Sequence, residues 1–528
     1  MKKIEHTLEN VIIVFLVIQP IFDLKIFYNS ISTLIRTITI IVLFSIYFVK
    51  STNKKKYWLL IYPISLGIYG LFHHLNALNF NSVVPGNFNY SVIKECLYFI
   101  KMLVPFLLIY ILVKTKINNS KLDKVIYTIV FIISLIIIIT NIMGISYGSY
   151  SNEVIKANFF KWFNNSENYT YKDLASKGLF EYGNQISAVL LMFLPFVIKN
   201  LIIEKNIKNF IIAFFNTFAL MLLATRVAVI GTIIVYIYTI FIITFMKYIK
   251  KIENIQTKNI AIVIILLLFY IIILPANPMF NRIDEMNNQY DDTIQVDSNS
   301  ISSSEESDID NVIQEEVQES TASKSDMIVS PDILIEKEKQ IKYIQDNYKR
   351  KNIHEIFILN SYPYQYDTEF WIKILNLDIY KRTNYRYLEE QMVKRVIEIN
   401  NNKYDKILGI THTRVQNIFN IEKDFIEQYY SLGIIGCILI FLPYFCIIGW
   451  YIYKSIRSKL YICSIDNLLS VITIFMMFGI AYNSGNLLNS LSFTIYFSLL
   501  YYKLYNTQKE EGGEEYVHKK RLFKFKKI

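Results

Sequence analysis

Residues 210–246 read FIIAFFNTFALMLLATRVAVIGTIIVYIYTIFIITFM, and this stretch decides the fold. Arg226 is its only charged residue. A helix needs about 20 apolar residues to cross the hydrocarbon core of a bilayer, and this stretch is roughly twice that length. It therefore predicts two membrane-spanning helices that form a hairpin with Arg226 at its tip.

The composition of the whole chain also indicates a membrane protein. Of its 528 residues, 53% are hydrophobic and only 19% are charged, and the mean hydropathy is +0.31. Ordinary soluble proteins are about 45–50% apolar and about 25% charged, so a purely soluble enzyme is excluded. The net charge of +11 does not indicate nucleic-acid binding, because most basic residues flank apolar segments. The 4 cysteines lie in or beside apolar segments and predict neither a disulfide framework nor a zinc site.

The apolar segments predict an all-α polytopic membrane protein with about 12 transmembrane helices. The predicted spans are 9–27, 31–49, 57–75, 92–113, 125–145, 183–199, 209–225, 227–246, 259–275, 433–452, 466–483 and 487–504. Basic residues follow every second span, so the positive-inside rule predicts cytoplasmic termini and insertion in the cytoplasmic membrane. The first span lacks a small-residue cleavage pattern and is expected to be retained as an anchor.

Polar stretches between the spans divide the chain into several predicted segments. These are residues 1–275 with helices 1–9 and an outer loop at 146–182, an acidic disordered insert at 276–331, a mostly helical extracytoplasmic cap at 332–432, helices 10–12 at 433–504, and a basic cytoplasmic tail at 505–528. The insert is inferred from Asp, Glu and Ser-rich sequence without Lys or Arg between Ile283 and Ser323. Insert and cap together form a large outer loop between helices 9 and 10.

Cations near the predicted outer face are the first candidate site residues. Charged residues within membrane spans are usually functional, and an arginine can bind phosphate oxygens through paired hydrogen bonds. The candidates are Arg36, Lys94, Lys101, Arg226 and Arg282. For Arg36, Lys94 and Arg282 the alternative is a long side chain that extends to the interface. Lys101 could instead pair with Glu95, whereas solvation alone explains Arg226 poorly.

A second polar constellation precedes the tenth predicted span. It comprises LGITHTR at residues 408–414 and EKDFIEQYYSLGIIG at residues 422–436. A carboxylate at a membrane edge can deprotonate an acceptor hydroxyl, so Glu422 and Asp424 are candidate bases. Arg414 is a further candidate cation. The alternative interpretation is the solvated end of an amphipathic helix.

Several of these stretches resemble the O-antigen ligase/polymerase superfamily of bacterial membrane glycosyltransferases. Residues 183–188 (GNQISA) resemble the Asn-Gln-small-Ala motif with which one span of the family begins. Thr225-Arg226 followed by Ala228 resembles the family's hairpin motif, and residues 432–436 (LGIIG) resemble its Leu-Gly-Leu-x-Gly motif. A large outer loop before the last three spans is typical of the family.

Another stretch points to the Gram-positive members of that family. Residues 362–364 (YPY) and 367–371 (DTEFW) resemble a loop element of some of these proteins. Many ligases of the family have a histidine where this chain has Glu422. An acidic pair there is closer to the polymerase-like members, so it favours a polymerase over a lipopolysaccharide ligase.

The resemblance implies a GT-C-like membrane glycosyltransferase fold and a reaction that needs neither a metal nor a cofactor. A hydroxyl of an acceptor glycan would attack the glycan carried by a polyprenyl (undecaprenyl) diphosphate, with inversion. Arg226 matches the family's hairpin arginine and would stabilise the leaving diphosphate. Glu422 would be the general base, and Asp424 a second choice or an orienting group.

The remaining candidates are expected to bind the diphosphate or the glycan. They are Arg414, Arg282, Arg36, Lys94, Lys101 and Gln185. The expected partners are the lipid-linked oligosaccharide, an acceptor glycan and the bilayer, with a flippase and a chain-length regulator as candidate protein partners. Nucleic acid is not expected. The expected product is a capsular, teichuronic-acid-like or other surface polysaccharide of the cell wall.

Two other classes of protein share some of these features. A lipid-linked oligosaccharide flippase or exporter would also have many spans and cationic residues, although its loops are normally short. A non-catalytic envelope-assembly or sensor protein is the third alternative. The sequence shows no Walker A motif and no evident internal repeat, which disfavours an ATP-driven pump and a secondary transporter.

Overall fold

The computed structural model describes residues 2–27, 29–50, 54–82, 84, 89–164, 168–250, 256–283, 331–418, 421–457 and 464–506. Within these residues the regular structure is helical, and β pairing is limited to isolated bridges. Most of the predicted acidic insert at 276–331 and of the predicted tail at 505–528 lies outside the described residues.

The main helices are numbered here in chain order. They are α1 (Lys2–Val17), α2 (Asn29–Lys50), α3 (Ile61–Leu78), α4 (Val92–Thr115), α5 (Asn119–Ile142), α6 (Gly183–Ile203), α7 (Ile207–Leu223), α8 (Arg226–Lys250), α9 (Thr257–Ile273), α10 (Pro331–Asn347), α11 (Thr368–Leu375), α12 (Tyr385–Asn400), α13 (His412–Ile418), α14 (Asp424–Arg457), α15 (Ile465–Ser484) and α16 (491–506). Nine helices of the described part are long and apolar enough to cross a membrane. The predicted all-α, multi-pass membrane fold is therefore confirmed.

Helix α6 is the centre of the helix bundle. Nearly all of its side chains are buried, and it packs against α5, α7, α8, α9 and α15. A helix that is apolar around its whole circumference is expected to be enclosed by other helices. The first residues of α6 are thereby held in fixed positions at one end of the bundle.

The hairpin predicted from residues 210–246 is present. Helix α7 ends at Leu223, Ala224 adopts a left-handed conformation (φ 48°), and α8 begins at Arg226. The Thr225 hydroxyl accepts a hydrogen bond from the Ala228 N–H at 3.1 Å and so caps α8. Arg226 is exposed at the first position of that helix.

Helix α14 differs from its prediction. The sequence predicts a span that starts at residue 433, whereas the helix begins at Asp424 and is interrupted at Gly433 (φ 64°, ψ −174°). The interruption frees backbone carbonyls that a neighbouring segment satisfies: Ile410 N–H donates to Tyr430 O at 2.9 Å, and Thr411 N–H donates to Ser431 O at 3.0 Å. The break therefore attaches residues 409–411 to the start of α14.

The connection between α15 and α16, residues 485–490, is held by the segment before α14 and by its first turn. Gly485 has a φ of 58°, and a Cβ atom there would lie 0.7 Å from the Glu422 carbonyl oxygen, so only glycine fits. The Asp424 carboxylate accepts hydrogen bonds from the N–H groups of Leu487 (2.9 Å) and Leu488 (3.0 Å). These contacts fix the loop at the same end of the bundle as the start of α6.

Helices α10 to α13 share a second hydrophobic core, centred on Trp371. The Trp371 indole donates to Tyr362 O at 2.8 Å, and the Tyr362 hydroxyl donates to Asp367 at 2.7 Å. Arg395 of α12 pairs with Asp367 at 2.8 Å. The Tyr-Pro-Tyr and Asp-Thr-Glu-Phe-Trp stretches are thus structural parts of this helical region, which we call the cap.

A buried ion network lies at the opposite end of the bundle. The Lys199 ammonium contacts Asp466 at 2.8 Å, and the Lys503 ammonium contacts Asp123 at 2.6 Å and Asp466 at 3.5 Å. The network joins α5, α6, α15 and α16, and its positive and negative charges balance. A buried charge is stable only when it is paired in this way.

Candidate active site

Polar side chains from distant parts of the chain converge on the 485–490 loop. The Gln185 amide at the start of α6 donates to Asn486 O at 3.0 Å and accepts from the Ser490 hydroxyl at 2.9 Å. The hydroxyls of Ser187 and Thr225 are 3.1 Å apart. Two of the motifs that resemble the ligase/polymerase family, residues 183–188 and the Thr225-Arg226 hairpin, therefore meet beside this loop.

His412 and Glu427 form a histidine–carboxylate pair on the other side of the loop. His412 Nδ1 lies 3.4 Å from Glu427 Oε1, without the alignment of a formed hydrogen bond. Catalytic hydrogen bonds in unliganded sites are often long and shorten when substrate binds. The imidazole stacks on the Tyr98 ring, with the ring centroids 3.7 Å apart and the planes 10° from parallel. The stacking and the carboxylate together define the orientation of the imidazole.

Two amide side chains hold the Glu427 carboxylate in place. Gln416 donates to Glu427 Oε1 at 2.7 Å, and the Asn489 amide of the loop donates to Oε2. The Asn489 carbonyl oxygen in turn accepts from the Tyr98 hydroxyl at 3.0 Å. The Glu427 side chain is 0% exposed, whereas that of His412 is 19% exposed. A substrate could therefore reach the His412 imidazole, whereas the buried Glu427 carboxylate orients that imidazole from the protein side.

Buried polar atoms without partners surround this pair. Among the described residues, Asp424 Oδ1, Gln428 Oε1 and Ser431 Oγ have no hydrogen-bond partner. Lys101 of α4 is attracted electrostatically to both Glu427 and Asp424. Buried polar groups need water or a ligand when the protein offers no partner, so the region is suited to a polar substrate.

Glu95 anchors His412 to the membrane helices. Its carboxylate accepts from the backbone N–H groups of His412 (3.0 Å) and Thr413 (3.2 Å), and so caps α13. It also lies 3.0 Å from His73 Nε2. Lys101 was predicted either to bind substrate or to pair with Glu95. The ion pair with Glu95 is not formed, because Glu95 binds the start of α13 instead.

The predicted bases Glu422 and Asp424 lie outside the histidine–carboxylate pair. The Glu422 side chain is 45% exposed and forms an ion pair with Arg386 of the cap at 2.7 Å. Asp424 is fully buried and uses Oδ2 to hold the 485–490 loop. Sequence reasoning missed Glu427, although it lies in the quoted stretch 422–436, and left His412 without a role. Its stacking partner, Tyr98, is distant in sequence.

Arg226 and Arg282 are brought together around Tyr150. The Arg282 guanidinium lies over the Tyr150 ring at 4.3 Å. Burial raises the pKa of Tyr150, and the positive charges of Arg282 and, more weakly, Arg226 oppose that rise. The Tyr150 hydroxyl donates to Ala224 O at 3.2 Å, at the tip of the hairpin. The two predicted arginines thus share one surface.

Two lysines that were not predicted contact the loop residues that directly follow Tyr150. Lys177 donates to Ser151 O at 3.0 Å, and Lys25 donates to Asn152 O at 3.1 Å. The pKa of Lys177 is lowered to about 8, mainly by burial; the charge of Glu181 opposes this decrease, and the nearby Lys25 contributes to it. Repulsion between partly buried cations is relieved when an anion binds, so this surface is suited to a diphosphate. No sequence motif surrounds either lysine, which is why both were missed.

Arg36 and Arg414, both predicted to bind substrate, have partners within the protein. Arg36 is buried in an ion pair with Asp23, and its Nε donates to Gln19 at 2.8 Å. Arg414 donates to Ala77 O at 2.8 Å, which ties α13 to the end of α3, and burial lowers its pKa to about 10. These contacts favour structural roles.

Lys94 and Lys101 lie on the same helix in different surroundings. Lys94 is exposed in the first turn of α4, whereas Lys101 faces the carboxylates of α14. No group of three or more His, Cys, Asp or Glu side chains that could hold a metal ion occurs in the described ranges. The candidate site therefore consists of three parts. They are the histidine–carboxylate pair, the loop at 485–490, and the surface that carries Arg226 and Arg282, which we call the arginine surface.

The fold and this site define a multi-pass membrane protein whose polar groups gather at one end of its helices. The chain belongs to the O-antigen ligase like membrane proteins, because the model of that family matches residues 5–510. The family assignment made from the sequence is confirmed. No curated protein and no solved structure shows a significant match. Membership supports a glycosyl-transferring enzyme that acts on lipid-linked glycans in a membrane.

Proposed function

We propose that the protein polymerises lipid-linked oligosaccharide repeat units into a surface polysaccharide on the outer face of the cytoplasmic membrane. Family membership supports glycosyl transfer from a lipid-linked donor. The observation that carries the proposal is the His412–Glu427 pair beside a loop that also contacts the start of α6, next to the hairpin of Arg226. Such an end of the bundle offers a base for an acceptor and cations for a diphosphate.

The proposal includes the predicted topology. The nine long helices, two shorter apolar helices (His6–Val17 and Ile207–Leu223) and α16 are compatible with the predicted set of spans. Cytoplasmic termini would place the His412 end outside and the Lys199–Asp466 network inside. The cap would then lie outside the membrane, where the polyprenyl-diphosphate glycan is the activated donor.

His412 is the general base of the proposed reaction. With the Nδ1 proton directed at Glu427, Nε2 carries the lone pair that removes the proton of the acceptor hydroxyl. The hydroxyl oxygen forms a bond to the anomeric carbon, the bond to the diphosphate oxygen breaks, and its electron pair stays on the polyprenyl diphosphate. Glu427 stabilises the imidazolium that results. Attack opposite the leaving group inverts the anomeric centre.

Arg226 and Arg282 receive the leaving diphosphate. Cations fixed where charge develops stabilise the transition state most, because they need no reorganisation during the reaction. Lys25 and Lys177 would bind the same anion from the other side of residues 147–152. Glu422, the base proposed from motif position, is the second candidate. Its ion pair with Arg386 makes it the weaker one.

The test is reconstitution of the purified protein with a lipid-linked repeat unit, followed by gel analysis of the products. We expect a ladder of polymers with the wild type and with Glu422→Gln. His412→Ala should slow polymerisation by about 100-fold or more, the usual contribution of a general base. Arg226→Ala should also slow it strongly. His6→Ala, a change at an exposed histidine near the N-terminus, is the matched control.

The same experiment distinguishes the alternatives. Loss of the ladder with Glu422→Gln and not with His412→Ala would assign the base to Glu422. Movement of the lipid-linked unit across the vesicle bilayer without any new glycosidic product would make the protein a flippase or exporter.

A further inference from the structure

An open groove with many asparagine side chains lies between the end of α3 and the turn after α12. Its volume is about 700 Å³, within the range of small-molecule sites. We call it the asparagine groove, and it is lined by Phe72, Leu75, Asn76, Asn79, Asn81, Asn400, Asn401, Asn402, Lys403, Tyr404 and Leu408. None of these residues belongs to the candidate active site described above.

The floor of the groove is a rigid amide network. Asn402 donates to Asn76 at 2.8 Å, Asn76 donates to Asp405 at 3.0 Å, and Asn400 donates to the other Asp405 oxygen at 2.6 Å. The Asp405 carboxylate is buried and directed inward, and burial raises its pKa. The groove is therefore a preformed surface that joins the cap to α3.

The rim of the groove carries free hydrogen-bonding groups. Asn79, Asn81 and Asn401 are exposed, and their side chains make no hydrogen bond with the described residues. Each amide offers two donors and an acceptor, which matches the adjacent hydroxyl and acetamido groups of a sugar. Tyr404 is 49% exposed, and the Lys403 ammonium lies over its ring at 5.0 Å from the centroid. An exposed aromatic ring of this kind can pack against the apolar face of a pyranose.

The charges in the groove exclude a diphosphate as its preferred ligand. No arginine lines it, Lys403 is its one lining cation among the described residues, and no carboxylate is open to it. Phe72 and Leu75 form an exposed apolar edge on the side of the membrane helix. The lining thus fits an uncharged, hydroxyl-rich chain that lies at the membrane surface.

The groove leads to His412 along a single backbone segment. Leu408 lines the groove, and its carbonyl oxygen lies 2.6 Å from His73 Nδ1. Asn76 at the floor donates to Gly409 O at 3.1 Å. His412 follows in the same segment. His73 of α3 and Glu95 of α4 both contact this segment.

We propose that the asparagine groove binds the acceptor glycan and directs its terminal hydroxyl toward His412. This inference rests on the proposed function only in naming the ligand as the acceptor. Because the groove is distinct from the arginine surface, acceptor and donor can be bound at the same time. Hydrogen bonds from Asn79 and Asn401 and stacking on Tyr404 supply the affinity.

Direct binding to the full-length protein in lipid nanodiscs tests the proposal. The probes are lipid-free oligosaccharides of hexose, of N-acetylhexosamine and of uronic acid, measured by calorimetry. Asn79→Ala combined with Asn401→Ala, and Tyr404→Ala alone, should each weaken binding roughly tenfold, as the loss of one or two hydrogen bonds or one ring contact predicts. Asn376→Ala and Tyr366→Ala, at exposed cap positions outside the groove, are the matched controls and should bind as the wild type does.

The outcomes separate this inference from the proposed function. If glycan binding depends on the groove residues and no polymer is made, the groove assignment stands and the polymerase proposal fails. If all variants bind like the wild type, or if the wild type binds none of the probes, the groove assignment is overturned. Loss of bound phospholipid in the groove variants, with glycan binding unchanged, would also overturn it and assign the groove to lipid.

Discussion

His412 derives its proposed reactivity from its surroundings. An imidazole in water is free to rotate, whereas this ring is stacked on Tyr98 and directed at Glu427. Its backbone N–H is held by Glu95 of another helix. Orientation of this kind lowers the entropy cost of reaching the transition state. The base is thus defined by several residues that are distant in sequence.

Replacing Glu427 by glutamine should slow glycan transfer by about 100-fold or more, because an amide cannot stabilise the imidazolium and can favour the wrong tautomer. The KM for the lipid-linked donor should change little. Steady-state kinetics of the reconstituted enzyme measure both quantities. Glu398→Gln, at an exposed position of the cap, is the control. Unchanged kcat in Glu427→Gln would remove Glu427 from the mechanism.

Glu389 makes the stability of the cap depend on pH. Burial, with a smaller contribution from the Glu422 charge, raises the pKa of this carboxyl from 4.5 to about 8 in the folded protein. Between these values the folded state holds a proton that the unfolded state has lost, so stability falls as the pH rises. Glu389→Gln should therefore raise Tm at pH 8 by roughly 2–4 °C and have little effect near pH 5. Equal effects at both pH values would contradict this.

The sequence predicts the cations of the candidate site more readily than their contacts. Arg226 and Arg282 were predicted and lie together at Tyr150, because charges beside apolar spans are easily recognised. Arg36 and Arg414 were predicted as ligands, yet their partners Asp23 and the Ala77 carbonyl could not be read from their own spans. Glu427 was missed since its hydrogen-bond partners come from other elements.

Among the structural elements, α14 contributes most to the candidate site, because its helix is interrupted at Gly433. Gly433 turns the helix and exposes carbonyl groups that receive the segment leading to His412. The hairpin of α7 and α8 followed from its length and its single charge. The break did not, because a glycine before an apolar run equally predicts a span start. The 485–490 loop was missed for a similar reason: its asparagines and serine carry no charge.

Gly433→Ala should destabilise the protein by roughly 3 kcal/mol or more and abolish transfer. The residue has a positive φ, and a Cβ atom would lie 2.4 Å from the Ile407 carbonyl group. Gly449→Ala on the same helix is the control, because a Cβ atom there has no neighbour within 4 Å. Thermal unfolding in detergent measures the difference. Equal stability of the two variants would show that the break is not required.

At the scale of the whole molecule, the two ends of the bundle differ in the polar groups that they carry. One end carries the histidine–carboxylate pair, the loop and the arginine surface. The other end carries the Lys199, Asp123, Asp466 and Lys503 network, which joins four helices. The central helix α6 connects the ends, since it contributes Gln185 to the first and Lys199 to the second.

Lys503→Ala should lower stability by about 3 kcal/mol, because it removes a fully buried ammonium group and leaves the Asp123 carboxylate without its partner, whereas Asp466 keeps Lys199. The transfer rate per folded molecule should stay unchanged, since the network is remote from the site. Lys94→Ala, at an exposed position, should change stability by less than about 0.5 kcal/mol. A variant that stays stable but loses transfer would show that the network takes part in the reaction.

The central claim is that the protein makes a glycosidic bond and releases a polyprenyl diphosphate. The most direct measurement is therefore simultaneous quantification of new glycosidic bonds and released polyprenyl diphosphate in vesicles that contain the purified protein and a labelled lipid-linked repeat unit. The account predicts equal amounts of the two products with the wild type and a large loss of both with His412→Ala. Transbilayer movement of the labelled unit, without release of polyprenyl diphosphate, would contradict it.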